Sequence, residues 1–130
     1  PQGGGTKDAF GLLNQQPDIL LSLRRLTGIV DHPAGDMTVT VLPGTTVSRL
    51  QQELAKYQQF LPVDPAWPED ATIGGVISAN TTGPKRALYG SPRDLVLGAR
   101  VVYPDGTIIR TGAKTVKNVA GYDMNKLFIG

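Results

Sequence analysis

The stretch at residues 71–90 constrains the fold of this chain more than any other, because it is built almost entirely from small residues. It reads ATIGGVISANTTGPKRALYG, has no acidic side chain and is interrupted by Gly83-Pro84. Side chains this small allow the backbone to pass close to another group, and a short helix here would offer a smooth face to a flat partner. A tightly packed core helix followed by a turn explains the same residues, so the stretch alone leaves both interpretations open.

The composition narrows the class of protein. The 130 residues are 40% hydrophobic and 18% charged, which is typical of one globular domain with a core. Glycine is abundant, with 16 residues, and this favours turns or close backbone approaches over an all-helical fold. The net charge of +2 comes from scattered residues, so no basic stripe indicates nucleic-acid binding.

Two further absences in the sequence exclude other functions. The chain has no cysteine, which rules out disulfides, thiolate metal sites and iron–sulfur ligation by this chain, and fits a reducing cytosol. No apolar run approaches the length of about 18 residues that indicates a transmembrane segment.

The N-terminal run PQGGGTK at residues 1–7 is a second candidate site. Three successive glycines can present consecutive backbone N–H groups to an anion, and the threonine hydroxyl adds a donor. The dinucleotide fingerprint needs a glycine where Asp8 stands, and the run also lacks the NTPase pattern. A flexible linker is the competing interpretation.

Hydrophobic spacing predicts the first strands and a helix. We expect a buried strand at residues 18–23 and two strand-like pieces at residues 28–33 and 37–42, the second with an inward face formed by Met37, Val39 and Val41. A helix capped by Thr45 or Thr46 follows. Its apolar positions are Val47, Leu50, Leu54 and Tyr57.

The second half of the chain predicts a β-hairpin. Residues 95–103 and 107–111 are rich in β-forming residues and are joined by Pro104-Asp105-Gly106, a strong turn signal. Short apolar residues at 60–63 are a possible further strand, residues 91–94 a turn, and residues 124–129 the beginning of a helix.

The sequence offers no set of catalytic side chains. His32 is the only histidine and, beside Pro33, fits a surface or turn position better than a catalytic or metal site. There is no cysteine nucleophile and no serine in a strand–turn–helix elbow. Any chemistry would therefore come from a bound cofactor. Trp67, in a loop stiffened by prolines, would either cover a ligand or fill the core.

Four separated pieces together resemble one known family. They are PQGGGT at residues 1–6, Pro43-Gly44 before the capped helix, ATIGGVISAN at residues 71–80 with Gly83 and Tyr89-Gly90, and Arg93-Asp94 with Pro104-Asp105-Gly106 and KNVAGYD at residues 117–123. Their order and spacing resemble the FAD-binding domain of the p-cresol methylhydroxylase / vanillyl-alcohol oxidase (PCMH-type) family. KNVAGYD resembles a motif of the family's 2-hydroxyacid branch, which includes the FAD-binding subunit of glycolate oxidase.

The resemblance covers essentially the whole chain and implies an α+β fold. Residues 1–130 would comprise the end of the first α/β subdomain and most of the second subdomain, an antiparallel sheet with flanking helices. We expect a partial domain truncated at both ends, because the family's first strand–helix–strand unit, its later glycine-rich turn and its substrate domain are not in the sequence. No catalytic residue and no metal ligand can be named for that reason.

The resemblance also implies a cofactor site. In the family the glycine loop wraps the FAD pyrophosphate, and residues 66–83 run along the diphosphate and the ring edge, where N–H donors and small side chains suit them. Some members attach FAD through a histidine where Thr6 stands, so we expect noncovalent FAD. The implied contacts are Gln2, Gly3, Gly4, Gly5, Thr6, Asp70, Ala71, Thr72, Gly74, Gly75, Ala79, Asn80, Gly83, Tyr89 and Gly90.

The implied function is that of a flavin-dependent oxidoreductase. It would take a hydride from a 2-hydroxy acid such as glycolate or D-lactate at flavin N5 and pass electrons to catalytic and iron–sulfur partner subunits. The expected location is the cytoplasm, peripheral to the inner face of the membrane through those partners. A noncatalytic scaffold subunit of the same fold is the alternative, and an NADPH-dependent reductase acting on a cell-wall sugar nucleotide fits residues 117–123 less well.

Overall fold

The computed structural model describes residues 1–9, 17–112 and 124–130. The KNVAGYD motif at residues 117–123 lies outside these ranges. The described elements run in the order β1 (Ile29–Asp31), a 3₁₀ helix (Ala34–Asp36), β2 (Thr40–Val41), α1 (Val47–Ala55), α2 (Ile73–Ser78), α3 (Arg86–Tyr89), α4 (Pro92–Leu95), β3 (Gly98–Val102), β4 (Ile108–Gly112) and a second 3₁₀ helix (Met124–Leu127). This mixture of helices and antiparallel strands confirms the predicted α+β fold.

Strands β1 and β2 form a small antiparallel sheet. Ile29 lies opposite Val41, and Asp31 lies opposite Thr40, with an irregularity between the two pairs. Both predicted strand-like pieces are therefore present, but each is shorter than expected. Met37 does not share the inward face, because it ends the preceding 3₁₀ helix in a left-handed conformation and its side chain is 82% exposed.

Helix α1 forms the centre of the core, as its spacing predicts. Thr46 caps it, with Oγ1 accepting a hydrogen bond from the N–H of Arg49 at 3.3 Å. The prediction for Tyr57 was wrong: the helix ends at Ala55, and the Tyr57 side chain is 56% exposed. The Tyr57 ring instead contacts the ring of His32 edge to face, with centroids 4.8 Å apart.

The core lies between α1, α2 and the small sheet. An isolated antiparallel bridge between Thr46 and Thr72 joins the starts of the two helices, so their apolar faces meet. The buried side chains of the cluster are Val47, Leu50, Leu54, Val63, Ala71, Ile73 and Val76. The burial of Ile73 and Val76 shows that one face of α2 serves the core.

The predicted hairpin is confirmed and is packed on one side only. Strands β3 and β4 pair in register from Gly98 opposite Gly112 to Val102 opposite Ile108. The 3₁₀ helix Met124–Leu127 holds it in place through Asn125, which is buried and donates from Nδ2 to the Leu97 carbonyl at 3.1 Å. A helix was expected to begin at residue 124, and the structure has a short 3₁₀ helix there.

The prediction of a buried strand at residues 18–23 was wrong. Ile19 is 84% exposed and Leu20 and Leu21 are also exposed, and only Ser22 forms a bridge, in parallel with Gln2. An apolar run becomes a buried strand only when other segments cover both its faces, and no described segment does so here. Residues 60–63 likewise form no strand, and the turn expected at residues 91–94 is the one-turn helix α4.

None of the helices in the described ranges has the length and apolar character needed to cross a membrane.

Candidate functional site

The glycine loop at residues 2–6 is fixed at its start by backbone pairing. The N–H of Gln2 donates to the Leu21 carbonyl at 2.8 Å, and the N–H of Leu23 donates to the Gln2 carbonyl at 2.9 Å. Gly5 then turns the chain, with a φ of 74° that favours glycine. Within the described residues, the N–H groups from Gly3 to Thr6 donate to no protein acceptor. The loop therefore presents a row of unused donors.

The loop lies directly on the turn at residues 70–72, and this contact requires glycine. A Cβ added to Gly3 would lie 2.2 Å from Thr72 Oγ1, and one added to Gly4 would lie 1.8 Å from the Asp70 carbonyl oxygen. Both distances are far inside van der Waals contact. Any side chain at these two positions would push the loop off the turn.

The start of helix α2 differs from the glycine loop, since its donors are already used. The N–H of Ile73 donates to the Thr45 carbonyl at 2.8 Å, and that of Gly74 to the Pro43 carbonyl at 2.8 Å. The N–H of Gly75 donates to Thr72 Oγ1 at 3.3 Å. The donors available to a phosphate at this site therefore belong to the glycine loop, and α2 contributes its small side chains.

A cleft with a volume of about 150 Å³ lies between the glycine loop and α2. It brings together many of the predicted contacts, namely Gln2, Gly3, Gly4, Gly5, Thr6, Ala71, Thr72, Gly75 and Ala79. Gly75 and Ala79 are four positions apart in sequence and therefore share one face of the helix. The wall of the cleft is a backbone donor surface on one side and a smooth small-residue surface on the other.

Three of the other predicted glycines pack against protein atoms outside the lining of this cleft. A Cβ on Gly74 would lie 2.8 Å from Pro43 Cβ, and one on Gly83 would lie 2.5 Å from the Asp64 carbonyl oxygen. Gly90 has a φ of 82° and lies against Asp94. These contacts, together with the positive φ of Gly90, favour glycine at the three positions.

The remaining predicted contacts also lie outside the cleft lining. Asn80 Oδ1 accepts a hydrogen bond from the Arg93 N–H at 3.3 Å, and the ring of Tyr89 packs edge to face on Phe60 with centroids 5.6 Å apart. Asp70 lines a neighbouring cleft of about 210 Å³. The Asp70 backbone nevertheless forms the seat of the glycine loop.

The structure adds charged residues that are not among the cofactor contacts implied by the resemblance. Lys7 and Asp8 line the cleft, where Lys7 Nζ donates to Thr81 Oγ1 and Asp8 accepts from Gln2 Nε2 at 2.6 Å. Arg24 donates to the carbonyls of the glycine loop. Lys7 could have been found from its position directly after a predicted anion loop, whereas no local pattern marks Arg24.

Trp67 does not fill the core, because its side chain is 66% exposed. It has a φ of 52°, and its carbonyl accepts the N–H groups of both Asp70 and Ala71 at 3.0 and 2.8 Å. This tight turn fixes the seat on which Gly4 lies. The conformation of Trp67 therefore matters to the site through its backbone.

Two carboxylates in the described ranges have a lowered pKa, and each is explained by local hydrogen bonds. Donation by the N–H of Ser91, and then by its hydroxyl, lowers the pKa of Asp94, and donation by Thr107 lowers the pKa of Asp105. These carboxylates belong to a helix cap and a hairpin turn outside the cleft. No group of three metal-ligating side chains occurs within the described ranges.

The chain is similar in sequence to glycolate oxidase subunits and to D-lactate dehydrogenases. It is 36% identical over 130 residues to the glycolate oxidase subunit GlcD of Bacillus subtilis, covering 100% of this chain and 28% of the relative. It is 37% identical over 111 residues to the glycolate oxidase subunit GlcE of Escherichia coli, covering 85% and 32%. A D-lactate dehydrogenase of Archaeoglobus fulgidus is 33% identical over 129 residues, covering 99% and 29%. The chain thus spans about a third or less of each of these relatives.

A solved structure and a family model agree with these relatives. The structure of an alkyldihydroxyacetonephosphate synthase superposes with a TM-score of 0.78 at 24% identity, covering 100% of this chain and 24% of that one, and it shows the same fold. The family model described as "FAD binding domain" matches residues 1–112. These findings confirm the predicted PCMH-type fold and the predicted cofactor, and the chain belongs to the FAD binding domain family.

Proposed function

We propose that this chain holds FAD noncovalently, as the cofactor-binding segment of an oxidoreductase that acts on a 2-hydroxy acid. The observation that carries the proposal is the row of N–H groups from Gly3 to Thr6, which have no acceptor among the described residues and lie on the turn at residues 70–72. Consecutive backbone N–H groups of this kind form a concave site for phosphate oxygens.

The residues of the cleft fit the two parts of FAD. The diphosphate would accept hydrogen bonds from the glycine loop, with the positive charge of Lys7 in the same cleft. The flat ring system would lie along the small residues Ala71, Gly75 and Ala79, which leave room for it and bring no charge that binding would have to desolvate. The predicted contacts outside the cleft lining, namely Asp70, Gly74, Asn80, Gly83, Tyr89 and Gly90, would extend this surface.

The role of this chain in the reaction is to bind and orient the cofactor. FAD, when bound, supplies a two-electron acceptor at flavin N5. Similarity to proteins named glycolate oxidase subunits, D-lactate dehydrogenases and D-2-hydroxyglutarate dehydrogenases supports a 2-hydroxy acid as the electron donor. Groups that contact this substrate would come from other parts of the protein.

The proposal includes a larger assembly. Residues 1–130 would be part of a longer FAD-binding domain, since the chain spans only part of its relatives. Two of those relatives are named as subunits, which supports partner subunits here. An iron–sulfur protein that accepts electrons would be one of these partners. We also propose that the protein lies in the cytoplasm and is attached peripherally to the membrane through its partner subunits.

Flavin analysis of the purified protein tests cofactor binding. We expect visible flavin absorbance, and release of intact FAD into the supernatant when the protein is denatured. Retention of flavin by the denatured polypeptide would contradict noncovalent binding. Failure to bind FAD after reconstitution with excess cofactor, in both the 130-residue chain and a longer protein that contains it, would overturn the proposal.

Reduction of the bound cofactor tests the oxidoreductase class. Bleaching of the flavin absorbance by glycolate or D-lactate, without any partner present, is the expected result for the longer protein. Binding of FAD without reduction by any 2-hydroxy acid would favour the noncatalytic scaffold.

A further inference from the structure

Arg24 reaches the glycine loop from outside the cleft and donates hydrogen bonds to its carbonyls. Its Nη2 donates to the Gly4 carbonyl at 2.6 Å, and its Nε donates to the Gly3 carbonyl at 3.4 Å. The backbone pairing between Gln2 and residues 21–23 holds the base of Arg24 beside the loop. Within the described ranges Arg24 forms no ion pair, and its hydrogen bonds there go to these two carbonyls.

The geometry of the peptide bond links these carbonyls to the donors of the loop. In a planar trans peptide the C=O of one residue and the N–H of the next point in opposite directions. When Arg24 binds the Gly3 carbonyl, it therefore turns the N–H of Gly4 away from itself. Binding of the Gly4 carbonyl does the same for the N–H of Gly5.

We infer that Arg24 is a positioning residue, which orients the N–H groups of Gly4 and Gly5 toward the diphosphate of the cofactor. This inference rests on the proposed function and names a residue that the motifs of the loop do not include. Glycine has the freest backbone of any residue, so a run of three glycines does not fix the direction of its own donors. A side chain that binds the carbonyls supplies the missing restraint.

The charge of Arg24 strengthens the same effect. A hydrogen bond from a cation to a peptide carbonyl polarises that peptide, which makes its N–H a better donor. The guanidinium has several donors in a fixed planar arrangement and can hold two carbonyls at once, whereas the single ammonium group of lysine cannot reproduce that geometry.

Cofactor titrations of matched variants test the inference. We expect Arg24→Met to weaken FAD binding by about tenfold or more, the loss typical of a charge-assisted hydrogen bond. Riboflavin, which has the ring but no phosphate, should bind Arg24→Met and wild type equally. Arg24→Lys should recover only part of the FAD affinity.

Arg25→Met is the matched control, since Arg25 is exposed, carries the same charge and forms no hydrogen bond or ion pair with other described residues. Its effect on FAD binding should be small. Equal losses of FAD affinity in Arg24→Met and Arg25→Met would show that Arg24 acts only through its charge at a distance, and this would overturn the inference. Wild-type FAD affinity in Arg24→Met would also overturn it.

Amide NMR with inorganic pyrophosphate separates this inference from the proposed function. In wild type we expect pyrophosphate to shift the amide signals of Gly4 and Gly5, and in Arg24→Met we expect this response to be lost while the signals of the α1 core stay in place. That result without FAD binding would refute the proposed function and leave the role of Arg24 intact. No response in the wild-type loop, or the same response in Arg24→Met, would overturn the inference.

Discussion

The two glycine-rich segments of this chain, the loop at Gly3–Gly5 and the start of α2 at Gly74-Gly75, resemble each other in sequence and differ in their hydrogen bonds. In the loop, the N–H groups donate to no acceptor within the described residues. At the start of α2, the N–H of Gly74 donates to Pro43 and that of Gly75 to Thr72. We infer that the first segment receives a ligand, whereas the glycines of the second segment pack against protein atoms.

The comparison shows that glycine content alone does not locate a phosphate site. Both segments need glycine for close contact, since a Cβ would lie 1.8 Å from a backbone atom at Gly4 and 2.8 Å from Pro43 at Gly74. What separates them is whether the neighbouring N–H groups already have acceptors, and unsatisfied donors beside a cleft indicate a ligand.

The largest effect is expected from Gly4→Ala, which tests the ligand side of the comparison. The new Cβ would overlap the Asp70 carbonyl oxygen, a backbone atom that cannot rotate away, so the loop must leave its seat. We expect FAD affinity to fall by about a hundredfold, or about 2.7 kcal/mol, in a fluorescence titration. Gly35→Ala is the control, because nothing lies within 4 Å of its added Cβ. Wild-type affinity in Gly4→Ala would remove the loop from the site.

Gly74→Ala tests the packing side and should act mainly on stability. Its Cβ would press on Pro43, and overpacking of this kind costs about 1–3 kcal/mol. Urea unfolding should show this loss, while the FAD affinity of the folded protein should fall less than in Gly4→Ala. A larger loss of FAD affinity in Gly74→Ala than in Gly4→Ala would indicate that the start of α2, and not the glycine loop, contacts the cofactor.

Thr72→Ala removes a side chain that serves both segments. Thr72 caps α2 and lies under Gly3, whereas Thr46 caps α1 with the same 3.3 Å geometry on the other side of the helix pair. Thr46→Ala is the matched control. Thr72→Ala and Thr46→Ala should each lower the free energy of unfolding by about 1 kcal/mol. Only Thr72→Ala should also weaken FAD binding, and equal affinities in the two variants would show that the cap does not shape the cleft.

The smallest effect on stability is expected from Asp94→Asn. The Asp94 carboxylate lies at the start of α4 and accepts hydrogen bonds from Ser91, the residue that caps this helix. Hydrogen bonds from the N–H and hydroxyl of Ser91, at 2.8 and 2.7 Å, lower the pKa of Asp94 below its ordinary value of 3.8. A lowered pKa stabilises the fold above the ordinary value, and this contribution is lost as the pH falls through the folded value.

Thermal unfolding between about pH 5 and about pH 2 measures this contribution. The melting temperature of wild type should fall more steeply with decreasing pH than that of Asp94→Asn. Parallel curves would show that Asp94 does not contribute to the acid sensitivity of the protein.

The elements predicted correctly are those whose signals are local in sequence. The hairpin follows from Pro104-Asp105-Gly106, and α1 follows from the cap at Thr46 and the spacing of Val47, Leu50 and Leu54. A turn or a cap involves residues within four positions of one another, so the sequence contains all of its determinants.

The failures concern residues whose surroundings are set by distant segments. Whether Leu21 is covered, and whether Tyr57 still belongs to the helix, depends on neighbours that spacing does not reveal. The small-residue stretch was correctly associated with the cofactor family, but the division of donors between the loop and α2 required the acceptors at Pro43 and Thr45. Arg24 contacts Gly4 across 20 positions and has no motif of its own.

A hydrogen bond between the segment that follows the glycine loop and the segment that follows α2 has a consequence for the folding of the protein. Lys7 Nζ donates to Thr81 Oγ1, and the two residues are 74 positions apart in the chain. Contacts of such long sequence separation tend to form late in folding, because the entropy of closing a long loop opposes them. We therefore expect the glycine loop to dock only after the helical core has formed. The cofactor would then bind late in folding, to a chain that is already largely native. Free FAD at about a hundred times its dissociation constant would then add about 2.7 kcal/mol to the native state, and the supply of flavin would govern how long the chain resists proteolysis.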